Sequence, residues 1–360
     1  MRIGIPREIK TMEGRVGLIP AAVAELVRRG HEVWVERDAG RLSGYNDAQY
    51  EAAGAAIAAD AASLYGKAQL IVKIKEPVGE ELELLRPDHL LFSFLHLAAA
   101  PELARRLQAI GLSAVAFETV TDQQGQLPLL APMSDIAGRL ATQIGCRLLH
   151  QSEGGKGLLL GGLSGARRGR VVILGAGNAG SGAAQLAAAL GAELVVFDRD
   201  RNRLEQMRRL GPNVTTLFAY HELLREEVAR ADILIGAVLI PGARTPHLVG
   251  RDMVRAMEPG SVVIDISVDQ GGCIETTRPT TYAEPTFLWE GILHFGVTNM
   301  PGTVPHSASQ AMSAVLTPYV LELAQAGWEQ NPELVTGLNV RAGKLLHPAV
   351  AAAVGNAVTA

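Results

Sequence analysis

The sequence has little cysteine and no strong excess of one charge. Its two cysteines, Cys146 and Cys273, lie far apart without metal-ligand spacing, which favours a reducing, cytoplasmic setting over a disulfide framework. The formal net charge of −4 and the lack of a Lys/Arg block give no electrostatic case for nucleic-acid binding. Charges fill the N-terminus "MRIGIPREIK", so we expect no export signal.

One stretch resembles a membrane-spanning segment, because residues 171–192 carry no charge. Glycines, together with Asn178, Ser181 and Gln185, interrupt it and predict a strand followed by a helix, so no membrane partner is expected. The 360 residues are 48% hydrophobic and include 39 glycines, a globular α/β composition. A chain of this length exceeds what one core usually supports and predicts two domains.

Short apolar runs alternate with helical patterns in the first part of the chain. The strands are predicted in "RIGIP", "HEVWVERDAG", "QLIVKIKEP", "HLLFSFLH" and "SAVAFETV", and helices in "LIPAAVAELVRRG" and "PELARRLQAIG". A long helix in "PMSDIAGRLATQIGCRLLHQ", with Ser134 as its N-cap, then leads to a second α/β unit, and another in "AMSAVLTPYVLELAQAG" returns. The prediction is an α/β fold of two Rossmann-like doubly wound domains, joined by long helices, with a cleft between them. One domain comprises residues 1–130 and 302–360, and the other residues 131–301.

The second unit carries a glycine motif typical of dinucleotide binding. Gly175, Gly177 and Gly180 stand between an apolar strand and an Ala-rich helix, where they permit a tight turn and close approach to a pyrophosphate. Asp198 follows the next strand and can accept hydrogen bonds from ribose hydroxyls, which favours NAD over NADP. The neighbouring Arg203 leaves NADP open, and a tight turn with no ligand is the structural alternative.

Lys75, His96 and Asp269 follow apolar runs, where ligands bind in open α/β sheets, and Arg15 lies between the first predicted strand and the first predicted helix. Each has an ordinary alternative as a solvated charge, a structural histidine or a turn residue. Together with a dinucleotide they suit oxidation of a small amino or hydroxy acid: two cations for a carboxylate, and an imidazole and a carboxylate for proton transfer.

Nine motifs occur in one order along the whole chain: "GIPREIKTMEGRVGLIP", "IVKIKEP", "FLHLA", "PMSDIAGRLATQIG", "GGKGLLLGG", "GAGNAG", "IGAVLIPGA", "DISVDQGGCIETTRPTTY" and "TNMPGTVPHSASQA". In these motifs the chain resembles the alanine dehydrogenase family, which is related to the nucleotide-binding subunit of proton-translocating transhydrogenase. The resemblance implies reversible oxidative deamination of L-alanine to pyruvate and ammonium with NAD, by a homohexamer.

The resemblance also implies roles for individual residues. Arg15 and Lys75 would bind the substrate, and His96 and Asp269 would form the proton-transfer pair. Besides the three motif glycines and Asp198, it implies cofactor contacts at Ser134, Asn178, Arg203, Val238, Leu239, Ile266, Ser267, Val268, Asp269, Arg278, Val297, Thr298, Asn299 and Met300.

We expect no metal, because relatives that bind one use a Glu and a His four residues apart, and this chain has Glu322 followed by Ala326. Three alternative functions remain open from sequence. They are a transhydrogenase-type NAD-binding subunit, a saccharopine-type amine dehydrogenase and a non-catalytic NAD-sensing module. The presence of all four candidate residues argues against the first, which needs neither a carboxylate clamp nor a proton pair.

Overall fold

The computed structural model describes residues 1–238 and 245–356. The chain divides into two compact units. Unit 1 contains Met1–Pro132 and the segment from Gly302 onward, and unit 2 is Met133–Pro301. The first unit is therefore built from two separate stretches of sequence.

The elements are numbered in chain order. Strands are β1 Arg2–Ile5, β2 Glu32–Glu36, β3 Ala56–Ala58, β4 Leu70–Val72, β5 Leu90–Ser93, β6 Ser113–Ala116, β7 Arg170–Leu174, β8 Glu193–Asp198, β9 Val214–Phe218, β10 Ile233–Gly236, β11 Val262–Asp265, β12 Thr286–Trp289, β13 Ile292–Phe295, β14 Leu338–Arg341 and β15 Lys344–Leu345. Helices are α1 Pro20–Arg28, α2 Asp47–Ala52, α3 Ala61–Lys67, α4 Glu81–Leu84, α5 Pro101–Ile110, α6 Ala131–Leu148, α7 Asn178–Ala189, α8 Arg201–Arg208, α9 His221–Ala229, α10 Arg251–Arg255, α11 Pro305–Leu323, α12 Pro332–Gly337 and α13 Pro348–Asn356.

The sheet of unit 1 has the order β15-β14-β6-β5-β4-β1-β2-β3. Strands β1 to β6 pair in parallel, whereas β14 pairs antiparallel with β6 and with β15. In β4 and β5 every residue is buried, because helices cover both faces of a parallel sheet. This burial explains why these strands read as continuous apolar runs.

The sheet of unit 2 has the order β12-β13-β11-β10-β7-β8-β9. Only β12 pairs antiparallel among its described strands. The order reverses at β7 in this sheet and at β1 in the other, which is the doubly wound plan. The predicted α/β class of two such parallel-dominated sheets is confirmed. Six strands are not anticipated from the sequence, namely β3, β9, β12, β13, β14 and β15.

Two helix starts differ from the sequence prediction. Helix α6 begins at Ala131, so Ser134 lies inside its first turns and the prediction that it is the N-cap is wrong. Pro132 fits there because the first N–H groups of a helix have no partner within the helix. Helix α11 begins at Pro305, several residues before the expected start, and continues through Pro318.

Candidate active site

The glycine motif forms the turn between β7 and α7 in unit 2. Gly175 has a φ of 96°, and a Cβ built on it would lie 2.7 Å from the carbonyl oxygen of Ala237. A Cβ on Gly180 would overlap the carbonyl oxygen of Gly175. Only glycine fits both positions, and helix α7 then begins at Asn178 with its N-terminus at the turn.

The carboxylate of Asp198 lies against this turn. Its Oδ2 accepts a hydrogen bond from the backbone N–H of Ala176 at 2.6 Å, and Oδ1 accepts from Arg199 and Asp200. A Cβ built on Gly177 would lie 3.8 Å from Nη1 of Arg203. The glycine turn therefore has a fixed carboxylate on one side and a guanidinium close by.

A second loop of unit 2 follows β11 and is organised by the buried carboxylate of Asp265. Its Oδ1 accepts from the backbone and hydroxyl of Ser267 at 3.0 and 2.7 Å. Its Oδ2 accepts from Cys273, Ile274 and Thr277. The loop thus held carries Ile266, Ser267, Val268 and the exposed Asp269, which lies in a 3₁₀ turn. Sequence reasoning missed Asp265, although an aspartate at the end of an apolar strand was a usable signal.

The other predicted cofactor residues are dispersed over unit 2. Ser134 is half-buried in α6, and Val238 is half-buried after β10. The Arg278 guanidinium lies 4.4 Å from the ring centroid of Phe287. The segment Val297, Thr298, Asn299 and Met300 follows β13, with Asn299 at a φ of 60°. Leu239 lies outside the described residues.

Lys75 follows β4 in unit 1, and its loop is held by a buried carboxylate. Oε1 of Glu8 accepts hydrogen bonds from the backbone N–H groups of Ile74 at 2.6 Å and Lys75 at 3.3 Å. Burial lowers the pKa of Lys75, and the positive charge of Arg15 lowers it further. Arg15 and Lys75 are therefore electrostatic neighbours.

Arg15 is buried in a bidentate ion pair with Glu13. Its Nε and Nη2 lie 2.7 and 2.5 Å from the Glu13 carboxylate oxygens, which fixes the plane of the guanidinium. The loop is held by α11, since Ser309 and Ser313 accept hydrogen bonds from the backbone N–H groups of Val16 and Ile19. Arg15, Glu8 and Glu13 line a cavity of about 260 Å³ in unit 1.

His96 follows β5, which ends at Ser93, so it lies beyond the strand rather than at its last residue. Its φ of 48° is left-handed, and its ring is exposed and stacks on Phe94 at 5.8 Å between centroids. The backbone N–H of Phe94 donates to the carbonyl of Ile74 at 3.1 Å. The loops that carry His96 and Lys75 are thus joined at adjacent strand ends.

The structure accordingly places Arg15, Lys75 and His96 in unit 1, and Asp269 with the predicted cofactor residues in unit 2. Glu8 and Glu13 were missed, because glutamates in loops are usually solvated. Within residues 1–238 and 245–356, no group of three His, Cys, Asp or Glu side chains is arranged to hold a metal ion. No described helix combines the length and apolar character needed to cross a membrane.

Family models match almost the whole chain. The model "Alanine dehydrogenase/PNT, N-terminal domain" matches residues 4–137, and "Alanine dehydrogenase/PNT, C-terminal domain" matches residues 141–348. An alanine dehydrogenase from Halomonas elongata is 46% identical over 360 residues, covering 99% of this chain and 97% of its own length. One from Geobacillus stearothermophilus is 45% identical, covering 98% of this chain and 96% of its own.

Solved structures agree with the sequence relatives. An L-alanine dehydrogenase superimposes with a TM-score of 0.95 at 46% identity, covering 99% of both chains. A transhydrogenase from Sinorhizobium meliloti superimposes with a TM-score of 0.84 at 28% identity, covering 97% of this chain and all of the other. The L-alanine dehydrogenase and the transhydrogenase both share this fold, and the L-alanine dehydrogenase is the more similar of the two in sequence.

Proposed function

Because the chain belongs to the alanine dehydrogenase/PNT family, we propose that it catalyses the reversible, NAD-dependent oxidative deamination of L-alanine to pyruvate and ammonium. The observation that carries the proposal is the full-length match to alanine dehydrogenases at 46% identity. The transhydrogenase match at 28% is weaker and makes that function the alternative. We further propose that the enzyme works in the cytoplasm as a homohexamer.

The residues of unit 2 fit a dinucleotide. A side chain at Gly175 or Gly180 would meet backbone oxygen, so the turn keeps its backbone open to a pyrophosphate. The Asp198 carboxylate suits the adenosine ribose hydroxyls and would repel a 2′-phosphate, which supports NAD over NADP. We assign the remaining cofactor contacts to the residues that the family resemblance implies, Leu239 included. When bound, NAD supplies the hydride acceptor.

Arg15 and Lys75 hold the substrate carboxylate and carbonyl oxygen in this proposal. The Glu13 pair restricts the Arg15 guanidinium to one orientation, so less freedom is lost when the substrate binds. Burial lowers the pKa of Lys75 and the positive charge of Arg15 lowers it further, so a bound substrate carboxylate would interact favourably with both cations. This arrangement favours small anionic substrates.

His96 and Asp269 move the protons. In the oxidative direction the substrate amine loses a proton and Cα loses hydride, which leaves an iminium. Water adds to that iminium with His96 as general base, assisted by Asp269, and the carbinolamine then releases ammonia to give pyruvate. An imidazole suits the role because it changes charge near neutral pH and can act in both directions.

An absorbance assay at the nicotinamide band tests this function. We expect NADH formation from NAD with L-alanine, and NADH consumption with pyruvate plus ammonium, with far weaker activity when NADP replaces NAD. Activity only with saccharopine-type amines, or hydride transfer only to a second nicotinamide, would establish one of the alternative enzymes instead. NADH binding without turnover of any of these substrates would indicate the sensing module.

A further inference from the structure

The backbone of His96 adopts a conformation that residues with a Cβ normally avoid. Its φ of 48° lies in the left-handed region, where the Cβ crowds the neighbouring carbonyl. Such a residue keeps this conformation only when its surroundings impose it. The structure therefore has to supply specific contacts to the His96 backbone.

Those contacts come from Glu118, which follows the neighbouring strand β6. Ser93 at the end of β5 pairs with Ala116 at the end of β6, so the segments after both strands emerge side by side. Oε1 of Glu118 accepts a hydrogen bond from the backbone N–H of His96 at 2.6 Å, and Oε2 accepts from Leu95 at 3.2 Å. One carboxylate thus binds two successive N–H groups.

The ring of His96 is fixed from the same side. It stacks on Phe94 with an angle of 2° between the ring planes. Phe94 in turn packs edge-on against Phe117 at 5.0 Å, and Phe117 directly precedes Glu118. The short turn Phe117–Thr119 therefore supports both the backbone and, through Phe94, the ring of His96.

We propose that Glu118 is a positioning residue, which sets the direction of the His96 imidazole for proton transfer. The proposal rests on the function proposed above for His96. A carboxylate is suited to this task because it offers two acceptors to two adjacent donors, and charged acceptors make the stronger hydrogen bonds. A glutamine at this place offers one acceptor and turns a donor toward the second N–H.

The test compares Glu118→Gln with the wild-type enzyme and with Glu329→Gln. The control removes a carboxylate paired with Arg341 elsewhere in unit 1. We expect Glu118→Gln to lower kcat about 10- to 100-fold, because small displacements of a reacting group are costly. The KM for pyruvate and the Kd for NADH should stay within about 2-fold, since other residues hold both ligands. Glu329→Gln should match the wild type.

A second measurement uses NMR to follow the environment of the His96 ring directly. In protein with ¹³C-labelled histidine, the His96 Cε1–H NMR signal is identified by its absence in His96→Ala. We expect Glu118→Gln to shift or broaden that signal, and Glu329→Gln to leave it unchanged. Should Glu118→Gln fold poorly by circular dichroism, Glu118→Asp keeps the charge with a shorter reach and should show the same changes to a smaller degree.

The two measurements distinguish a failure of the positioning role of Glu118 from a failure of the proposed enzyme function. An unchanged kcat, an unchanged His96 signal, or a raised KM with normal kcat in Glu118→Gln would overturn the positioning role. A wild-type enzyme that forms no NADH with alanine would instead overturn the proposed function. In that case the NMR comparison still decides whether Glu118 holds the His96 ring.

Discussion

Lys73 is fully buried in unit 1 between two carboxylates. Its ammonium binds both oxygens of Glu81 at 2.7 and 2.8 Å, whereas Oε2 of Glu8 lies 3.6 Å away. Burial raises the pKa of Glu8 to about 7, against the attraction of Lys73. A neutral Glu8 leaves one positive and one negative charge in the cluster, which is the arrangement that costs least in a buried site.

Glu8→Gln should remove a pH dependence of stability. The folded-state pKa of Glu8, about 7, lies above that of the free side chain, so between those values the folded state binds more protons and stability falls as pH rises. Relative to Glu8→Gln, the wild type should lose about 1–3 kcal/mol of unfolding free energy between about pH 5 and about pH 8. Urea denaturation of both proteins at both pH values measures this difference in unfolding free energy.

Glu81→Gln is the matched variant for this cluster. It removes the direct partner of a buried ammonium, so the unfolding free energy should drop by about 3–5 kcal/mol. A difference between wild type and Glu8→Gln that stays constant from acid to mildly alkaline pH would mean that Glu8 is ionised throughout. Equal effects of the two substitutions would contradict the assignment of Glu81 as the main partner.

Single residues differ in how far sequence revealed them. Lys75, His96 and Asp269 could be proposed because ionisable groups after apolar runs are unusual, and Arg15 because it lies in the loop between the first strand and the first helix. Glu8 and Glu118 could not, since their hydrogen-bond donors are backbone N–H groups, and sequence does not tell which of these lie nearby. Their roles depend on which strands become neighbours.

At the scale of elements, helices α6 and α7 pack very closely, because each has a glycine where it contacts the other. A Cβ on Gly138 of α6 would overlap the carbonyl oxygen of Ala179, and one on Gly182 of α7 would overlap Asp135. Thr142 donates to the carbonyl of Ala183 at 3.0 Å beside the crossing. The close approach fixes α7, whose N-terminus carries the glycine turn.

Gly138→Ala should destabilise the protein, because the added methyl group meets a rigid backbone. We expect a loss of about 1–3 kcal/mol in unfolding free energy, as for other overpacked sites, and weaker NADH binding. Gly66→Ala is the control, since Gly66 lies in α3 with open space around it. It should raise stability by about 0.5–1 kcal/mol. A stabilising Gly138→Ala, measured in the same urea titration, would refute the close crossing.

Element prediction succeeded where the local signal was strong. Helix α5 begins at Pro101 and stops at Gly111, whose φ is 83°, as the sequence indicates. The pairs β12–β13 and β14–β15, each at one end of its sheet, were missed, because such short strands are defined by the strand they pair with rather than by a distinctive pattern. The start of α6 was misplaced because Ser134 resembled an N-cap and the proline before it was not taken as helical.

At the scale of the whole molecule, the candidate groups are divided between the two units. Arg15, Lys75 and His96 belong to unit 1, whereas Asp198 and the glycine turn belong to unit 2. In our proposal unit 2 binds the cofactor and unit 1 binds the organic acid. We therefore expect the cofactor to slow backbone hydrogen exchange in unit 2 and the organic acid to slow it in unit 1.

Hydrogen exchange followed by mass spectrometry tests that division. NADH alone should slow exchange in peptides covering residues 175–181, because a bound ligand suppresses local opening. Pyruvate added without ammonium should then slow peptides covering residues 73–76 and 94–97. NADPH and the distant strand β14 serve as ligand and peptide controls. Protection by pyruvate confined to unit 2 would contradict the assignment of Arg15 and Lys75.

The sequence by itself determined the α/β class, the glycine turn and the family, because these depend on local periodicity, on glycine conformation and on motifs in a fixed order. Tertiary structure decided which backbone groups meet which carboxylates. Glu118 reaches His96 because β5 and β6 pair in register, and Ser309 reaches Val16 because a segment nearly 300 residues away packs beside the first loop. Such contacts arise from chain topology, which no local pattern encodes.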